Sequence, residues 1–265
     1  MAENLIITSA QNPKIKRLLS LEQKSSERRK EGLFVVEGQR ELMHCTSTGL
    51  RVDTLFVCPS ILGEKEMPEC PGATVYEVSE DIYNKIAYRG GTEGVVALVR
   101  PRETKLEDLK MKDNPLFVVL ESVEKPGNLG AILRSADASG ADAVIVCDPL
   151  TDLYNPNLIR SSIGAIFTVP TVACTSEECI AFMKKNKVQI LTAQLQDSSL
   201  YYDRDMSKAT AIVMGTESTG LTPIWRKAAD AHIRIPMLGR LDSLNVSVSA
   251  AILLFEAVRQ RGGKK

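Results

Sequence analysis

The stretch LFVVLESVEKPGNLGAILRSADASGADAVIVC, residues 116–147, holds two apolar runs separated by one helical segment. The runs 116–120 and 143–147 contain no charged side chain, which is typical of strands buried on both faces of a parallel sheet. A helix is expected to begin between them near Asn128, because asparagine is a good helix cap. The order strand, helix, strand predicts an α/β fold with a parallel sheet.

The same alternation continues toward the C-terminus. Further strands are expected at 188–193, 211–215 and, as a more polar last member, 232–236. Further helices are expected to begin near Asn157, Glu177, Thr222 and Leu244, and the last one to end near Arg261. Residues 116–265 are therefore predicted to form one domain, with helices on both faces of the sheet.

The first hundred residues predict a smaller α/β domain, 1–100. A helix is expected to start at Asn12-Pro13, run to Arg29 and close at Gly32. Short strands are expected at 33–36, 54–58, 74–78 and 94–99, with helices at 40–48 and 80–87. Residues 101–115 are highly charged, so we interpret them as a linker or a surface helix between the domains.

The composition is that of an ordinary globular protein. The chain has 265 residues, of which 44% are apolar and 25% charged. No apolar run approaches the roughly 20 residues that cross a bilayer, and the N-terminus lacks the pattern of a signal peptide. We therefore expect a cytoplasmic protein that is not embedded in a membrane.

The cysteines and histidines do not form a metal-binding motif. Six cysteines are scattered along the chain without any C-x-x-C pair, and the two histidines, His44 and His232, lie far apart. Reduced thiols and no metal are the expectation.

Charge is balanced overall but not locally. Lysine and arginine number 33, as do aspartate and glutamate, so no global field favours nucleic acid. Residues 14–30, however, carry seven basic side chains against two acidic ones. This stripe could bind phosphates, or it could be a solvated helix face.

Three segments place glycine and polar residues where a parallel sheet would place a site, at or near the carboxyl ends of strands. They are 124–140, 215–221 and 235–251. In the first, Gly127 and Gly130 would allow close backbone approach; in the third, Gly239 would permit an unusual backbone and Ser243 would cap the last helix. Taken singly, each segment could instead be a cap, a turn or a packed helix.

Several common enzyme classes lack support. The chain has no G-x-G-x-x-G after a strand, no G-x-x-x-x-G-K-[ST], no G-x-S-x-G and no H-E-x-x-H. Residue patterns alone thus reach a two-domain α/β protein with a small-molecule cleft.

Taken in order, the three segments resemble the three motifs of the SpoU/TrmH-type RNA ribose 2′-O-methyltransferases of the SPOUT superfamily. The first motif, N-x-G-x-x-x-R-x-A, is matched by Asn128, Gly130, Arg134 and Ala136. The second, G-x-E-x-x-G-[LI], is matched by Gly215, Glu217, Gly220 and Leu221. The third, I-P-M-x-G-x-x-x-S-L-N-V-S, is matched by Ile235, Pro236, Met237, Gly239, Ser243, Leu244, Asn245, Val246 and Ser247.

The resemblance implies a trefoil-knotted methyltransferase domain that binds S-adenosyl-L-methionine and dimerises through the knotted region. More loosely, 34–49 and 90–101 resemble the family's N-terminal substrate-binding domain, a ribosomal-protein-like α/β fold that binds RNA. The implied reaction is methyl transfer to a ribose 2′-hydroxyl, with ribosomal RNA favoured over transfer RNA.

The resemblance also assigns roles to residues. The implied catalytic residues are Arg134, contributed across the dimer interface, with Glu217, Asn128, Asn245 and Ser243. The implied cofactor-binding residues are Gly215, Ile235, Leu244, Met237, Gly239 and Ser247. Apart from the resemblance, the balanced net charge predicts that RNA affinity depends on a local basic patch, with Arg17, Arg28, Arg29 and Arg89 as candidate RNA-binding residues.

Because a guanidinium stays protonated, we expect Arg134 to stabilise negative charge rather than to act as a base. Glu217 would orient it or accept the proton through water. Two other readings stay open: an RNA-binding or ribosome-assembly protein that keeps the fold without turnover, and a base methyltransferase of the wider superfamily.

Overall fold

The computed structural model describes residues 5–87, 93–216 and 218–263. Contacts divide the chain into two compact units, Met1–Arg102 with Asp152–Thr168, and Glu103–Thr151 with Val169–Lys265. No helix within the described ranges combines the length and the apolar character that a membrane span requires.

Twelve strands are found in the described residues. In chain order they are β1 (Leu5–Ile7), β2 (Phe34–Glu37), β3 (Val52–Val57), β4 (Thr74–Val78), β5 (Val95–Val99), β6 (Leu116–Glu121), β7 (Ala143–Cys147), β8 (Thr171–Cys174), β9 (Gln189–Ala193), β10 (Ser199–Leu200), β11 (Thr210–Met214) and β12 (Ala231–Arg234).

Eleven α-helices are found in the same ranges. They are α1 (Pro13–Gln23), α2 (Ser25–Glu31), α3 (Gln39–Ser47), α4 (Pro59–Leu62), α5 (Glu80–Ile86), α6 (Pro126–Ser139), α7 (Pro156–Ser161), α8 (Ala165–Thr168), α9 (Ser176–Lys185), α10 (Pro223–Ala228) and α11 (Val246–Gln260).

The first unit is built on a mixed five-stranded sheet with the order β1-β4-β3-β5-β2. β1, β4 and β3 are parallel to one another, and β5 pairs antiparallel with β3 and β2. Helix α1 buries Ile15, Leu18 and Leu21 completely, because these side chains recur at helical spacing on one face.

The second unit is built on a seven-stranded sheet with the order β10-β12-β9-β11-β6-β7-β8. Every pairing in it is parallel. The central strands β6 and β7 are buried along their whole length, as the apolar runs predicted. The predicted α/β class with a parallel sheet is therefore confirmed.

One predicted helix is in fact two. Lys24 adopts an extended backbone between α1 and α2, and Gly32 closes α2 with a φ of 60°. Arg28 stabilises the break, because its Nη1 donates to the carbonyls of Leu21 (2.6 Å) and Glu22 (3.0 Å). This side chain satisfies the last carbonyls of α1, which would otherwise lack hydrogen-bond donors.

One segment of the second half contacts the first unit. Asp152–Thr168, which holds α7 and α8, is grouped with it, whereas the sequence places these residues in the domain 116–265. Tyr154 stacks on Phe34 with ring centroids 4.3 Å apart. The Asp152 carboxylate accepts a hydrogen bond from Arg28 at 2.7 Å.

Candidate functional site

The three motif segments lie along one edge of the seven-stranded sheet. Strand β11 pairs with β6 on one side and β9 on the other, and β9 pairs with β12. Because all four strands are parallel, their carboxyl ends lie on the same edge. The segments after β6, β11 and β12 therefore meet there, together with the residues that follow β9.

The second motif forms a tight loop that requires glycine. A Cβ on Gly215 would lie 2.3 Å from the carbonyl carbon and oxygen of Gly220, a distance that no real side chain tolerates. Gly220 itself has a φ of +69°, and Thr216 forms a β-bridge with it. Glu217, the predicted acidic residue of this loop, lies outside the described residues.

Glu121, which no motif indicates, anchors the chain after this loop. Its carboxylate is 3% exposed and accepts hydrogen bonds from the Thr222 backbone N–H (2.8 Å) and hydroxyl (2.5 Å). Two donors offset the cost of burying the charge. The sequence signal was a single acidic residue at the end of an apolar strand.

The first and third motifs are joined by a hydrogen bond between two asparagines. Nδ2 of Asn245 donates to Oδ1 of Asn128 at 3.2 Å. Asn245 is also the N-cap of α11, since its Oδ1 accepts from the backbone N–H (3.0 Å) and hydroxyl (2.6 Å) of Ser247. The two segments are thus held together at the carboxyl edge of the sheet.

Both predicted caps are corrected by this arrangement. Helix α6 begins at Pro126 with Lys125 as its N-cap, so Asn128 lies inside the first turn. The missing N–H of proline suits that first position. Ser243 precedes the N-cap of α11 and donates to Asp242 at 3.2 Å instead.

Two small cavities open at this edge. The first, about 120 Å³, is lined by residues of all three motifs, among them Asn128, Gly215, Thr216, Ser218 and Val246. The second, about 150 Å³, lies where β9 and β12 end and is lined by residues that include Gln194, Ile235, Met237, Ser243 and Leu244.

Gln194 gives the second cavity a specific hydrogen-bonding character. Its Nε2 donates to the Gln196 carbonyl at 2.9 Å, whereas its Oε1 is buried and has no hydrogen-bond partner within the described ranges. A buried acceptor without a donor costs free energy. A ligand amine, such as that of adenine, would satisfy it, so the cavity fits an adenosine group.

Sequence reasoning did not single out Gln194. The signal was available, because it directly follows the apolar strand that ends at Ala193, where ligand-binding residues of parallel sheets lie.

The predicted cofactor-binding set is only partly brought together. Gly215 lines the first cavity, and Ile235, Met237 and Leu244 line the second, whereas Gly239 and Ser247 line neither. Gly239 has no positive φ and no atom within 4 Å of its Cβ position, so the expected unusual backbone is absent there. Gly127 likewise shows no close approach.

Arg134 lies on α6 but lines neither cavity. Its side chain is exposed, and it forms no ion pair or hydrogen bond with any residue that the structure describes.

Helix α11 exposes Val248 (47%) and Phe255 (48%), two apolar side chains that are seven residues apart and share a face.

The predicted RNA-binding arginines differ in what they contact. Arg28 is 6% exposed and donates to Asp152 and two carbonyls, so little of its guanidinium is available to a phosphate. Arg17 pairs with Glu31 at 2.5 Å but stays half-exposed. Arg29 is exposed, and Arg89 lies outside the described residues.

Comparisons with known proteins agree with this geometry. Residues 115–255 match the SpoU rRNA Methylase family, and residues 12–97 match the MRM3-like substrate binding domain. The two matched regions cover the two predicted domains in order.

Characterised relatives are similar over most of the chain. The 23S rRNA (guanosine(2553)-2′-O)-methyltransferase RlmP of Bacillus subtilis is 29% identical over 94% of this chain and 97% of its own. RlmB of Vibrio vulnificus, a 23S rRNA (guanosine-2′-O-)-methyltransferase, is 34% identical over 76% of this chain and 83% of its own length. The crystal structure of an AdoMet-bound rRNA methyltransferase from Sinorhizobium meliloti is 30% identical, covers 96% of this chain and 97% of its own, and has a TM-score of 0.86.

Proposed function

Because the chain belongs to the SpoU rRNA methylase family, we propose that it transfers a methyl group from S-adenosyl-L-methionine to a ribose 2′-hydroxyl of ribosomal RNA. One structural observation carries the proposal. The hydrogen bond from Asn245 to Asn128 joins the third and first motifs beside a cavity that residues of all three motifs line. Segments of all three motifs reach the same edge of the sheet, which supports the proposal.

The residues that line the two cavities support a proposal for the cofactor contacts. S-adenosyl-L-methionine supplies an electrophilic methyl group on a sulfonium centre when it is bound. Gln194 would hold the adenine amine, and the backbone near Gly215, Ile235 and Leu244 would surround the adenosine. The absence of a side chain on Gly215 lets this loop close against the Gly220 backbone.

Arg134 has the chemistry needed for the acceptor. A guanidinium remains protonated in proteins, so it stabilises negative charge as the ribose 2′-oxygen loses its proton. It can also grip the adjacent phosphate through two parallel hydrogen bonds. Asn128, Asn245 and Ser243 would position the ribose, and Glu217 would orient Arg134 or accept the proton through water.

A homodimer would complete the site. Arg134 lies outside the cavities of its own chain, and α11 exposes Val248 and Phe255. We propose that a second copy covers this apolar face and brings its Arg134 to the cavity. The trefoil knot stays a prediction for the path of the chain in this region. Phe255→Glu should yield a monomer in analytical ultracentrifugation; a dimer unchanged by that substitution contradicts the interface.

The N-terminal unit would bind the RNA. Arg17 and Arg29 lie in the basic stripe 14–30, and phosphate contacts of this kind supply affinity without reading bases. Since ribosomal RNA is the substrate, we place the protein in the cytoplasm.

The proposal is tested with methyl-labelled S-adenosyl-L-methionine and ribosomal RNA from cells that lack the protein. Digestion of the RNA to nucleosides should give a labelled 2′-O-methylnucleoside. Label on a base would indicate the base methyltransferase. No label, together with no calorimetric binding of S-adenosyl-L-methionine, would indicate the non-catalytic RNA-binding protein.

A further inference from the structure

We propose that Cys147, Cys174 and Cys179 form a binding site for a thiophilic metal ion such as Zn²⁺ or Cu⁺, separate from the methyl-transfer site. Their three Sγ atoms all lie within 4.8 Å of one another. The other three cysteines, Cys45, Cys58 and Cys70, belong to the first unit.

The fold brings these thiols together from distant positions in the sequence. Cys147 is the last residue of β7 and Cys174 the last residue of β8, and the two are direct partners in the parallel ladder. Cys179 lies in the first turn of α9, which begins immediately after β8. The sequence contains no C-x-x-C pair that would indicate this site. The three thiols come together only because β7 pairs with β8 and α9 follows β8.

The distances suit coordination. A zinc–thiolate bond of about 2.3 Å places two ligand sulfurs roughly 3.8 to 4.0 Å apart. Each pair of sulfurs must therefore approach by no more than about 1 Å from the 4.8 Å limit, which small side-chain rotations supply. Three sulfur ligands favour soft, thiophilic ions over Mg²⁺ or Ca²⁺.

The segment that carries two of the thiols is held in place by its neighbours. Oδ2 of Asp148 accepts hydrogen bonds from the Ser176 backbone N–H (3.2 Å) and hydroxyl (2.6 Å). The buried Trp225 donates from Nε1 to the same hydroxyl at 2.9 Å. This support fixes the start of α9 against β7 and β8, as the outer groups around a metal site do.

The surroundings also provide a route for the ion. Cys147 and Cys179 are fully buried, whereas Cys174 is half-buried and lines a groove of about 920 Å³ together with Glu178 and Lys185. An ion can enter from this groove, and a water molecule from the groove can complete a tetrahedral Zn²⁺ site. Cu⁺ would need only the three sulfurs.

One feature favours negative charge on the cluster. The N-terminus of α9, ten residues long, lies beside it, and its dipole stabilises thiolates. An ion that binds here would displace the thiol protons, because thiolates are the ligands.

The test is a titration of the reduced, full-length protein with Cd²⁺, a spectroscopic substitute for Zn²⁺, under anaerobic conditions. We expect an ultraviolet thiolate-to-cadmium charge-transfer band that saturates at one ion per chain. Cys174→Ser and Cys179→Ser should weaken binding by at least about tenfold. Cys70→Ser, which changes the other half-buried thiol, should leave it unchanged.

Two further measurements keep the test decisive. Circular dichroism shows whether each variant folds; if Cys179→Ser does not, X-ray absorption of the Zn²⁺-loaded wild-type protein should count three sulfur ligands. Competition between Zn²⁺ and Cu⁺ against chelators then identifies the preferred ion. No charge-transfer band, fewer than three sulfurs, or equal binding by Cys174→Ser and Cys70→Ser would overturn the proposal.

Discussion

The side-chain amide of Asn245 donates to Oδ1 of Asn128 across 3.2 Å, joining the segment before α11 to the first turn of α6. Because Oδ1 of Asn245 also accepts from the Ser247 N–H, the amide cannot turn over without losing the helix cap. Capping and site assembly therefore depend on opposite ends of one side chain.

Asn245→Asp separates these two roles. Aspartate caps a helix as well as asparagine does, so the free energy of unfolding should stay within about 0.5 kcal/mol of the wild type. The donor to Asn128 is lost, and kcat/KM for methyl transfer should fall roughly tenfold or more. Asn245→Ala should lose about 1 kcal/mol of stability as well. Full activity in Asn245→Asp would show that the contact has no role in turnover.

Gly215 and Gly239 form a matched pair for testing the second motif. Gly215→Ala should destabilise the protein by about 2 kcal/mol and abolish binding of S-adenosyl-L-methionine, because the new Cβ meets the Gly220 backbone. Gly239→Ala places its Cβ in open space and should be neutral or stabilising by up to about 1 kcal/mol. Calorimetry and thermal unfolding measure both, and equal cofactor binding by the two variants would contradict the loop geometry.

Gln194→Leu tests the adenine contact. Removing the unpartnered Oε1 should weaken S-adenosyl-L-methionine binding about tenfold, since a ligand amine loses its acceptor. The melting temperature without cofactor should change little, because the lost hydrogen bond to the exposed Gln196 carbonyl is offset by removal of an Oε1 that has no partner among the described residues. Gln196→Leu, which changes an exposed side chain nearby, is the control. A lower affinity in both variants would point to a general loosening of the cavity.

Arg28 and Arg29 are adjacent and carry the same charge, yet they should behave differently. Arg28→Ala leaves Asp152 and two helix carbonyls without their donor and should cost about 3 kcal/mol of stability. Arg29→Ala should change stability by less than about 0.5 kcal/mol. It should instead weaken RNA binding and reduce the slope of log affinity against log salt by about one. An unchanged slope would remove Arg29 from the RNA surface.

Glu22 predicts a pH dependence of stability. Burial, assisted by the negative charge of Glu37, raises the pKa of the Glu22 carboxyl from 4.5 to about 7. The charged and titratable groups that share its cavity are Glu37, Glu41, Glu93, Arg40 and Arg160. Between these pH values the folded state holds a proton that the unfolded state has released, so this group's contribution to stability falls as pH rises.

Glu22→Gln should remove that dependence. The variant should gain stability over the wild type above pH 7, while the two should differ little below pH 4.5. Chemical denaturation across this range measures the difference. A variant that gains nothing at pH 8 would show that the Glu22 carboxyl titrates normally.

The parallel sheet could be predicted from the sequence because strands that are buried on both faces are continuous apolar runs, as in β6 and β7. It missed β8, since TVAC at Thr171–Cys174 is short and half polar, and β1, which has only three residues. Edge strands bury less apolar surface and so carry a weaker pattern.

The candidate site was predictable where motifs follow strands. Asn128, Gly215 and Asn245 were identified, and the structure brings their segments together. Gln194 and Glu121 were not identified, although each lies at or directly after the end of an apolar strand. Their roles become clear only from the strand order, in which β9 lies between β11 and β12, and β11 lies beside β6. The division of the predicted helix into α1 and α2 also could not be predicted, because it depends on a tertiary contact. The Arg28 side chain of α2 donates to carbonyls at the end of α1.

The assignment of Asp152–Thr168 to the first compact unit affects how this protein can be dissected. The chain passes from one unit to the other near residues 102, 151 and 168. A single protease cut in 101–115 therefore should not separate the fragments, because Asp152–Thr168 stays on the C-terminal fragment and packs noncovalently against the N-terminal one. A recombinant fragment beginning at 116 would carry α7 and α8 without Phe34, on which both Tyr154 and Phe167 stack, and it should aggregate. A C-terminal fragment that stays in solution would require replacement of the segment Asp152–Thr168 by a short turn.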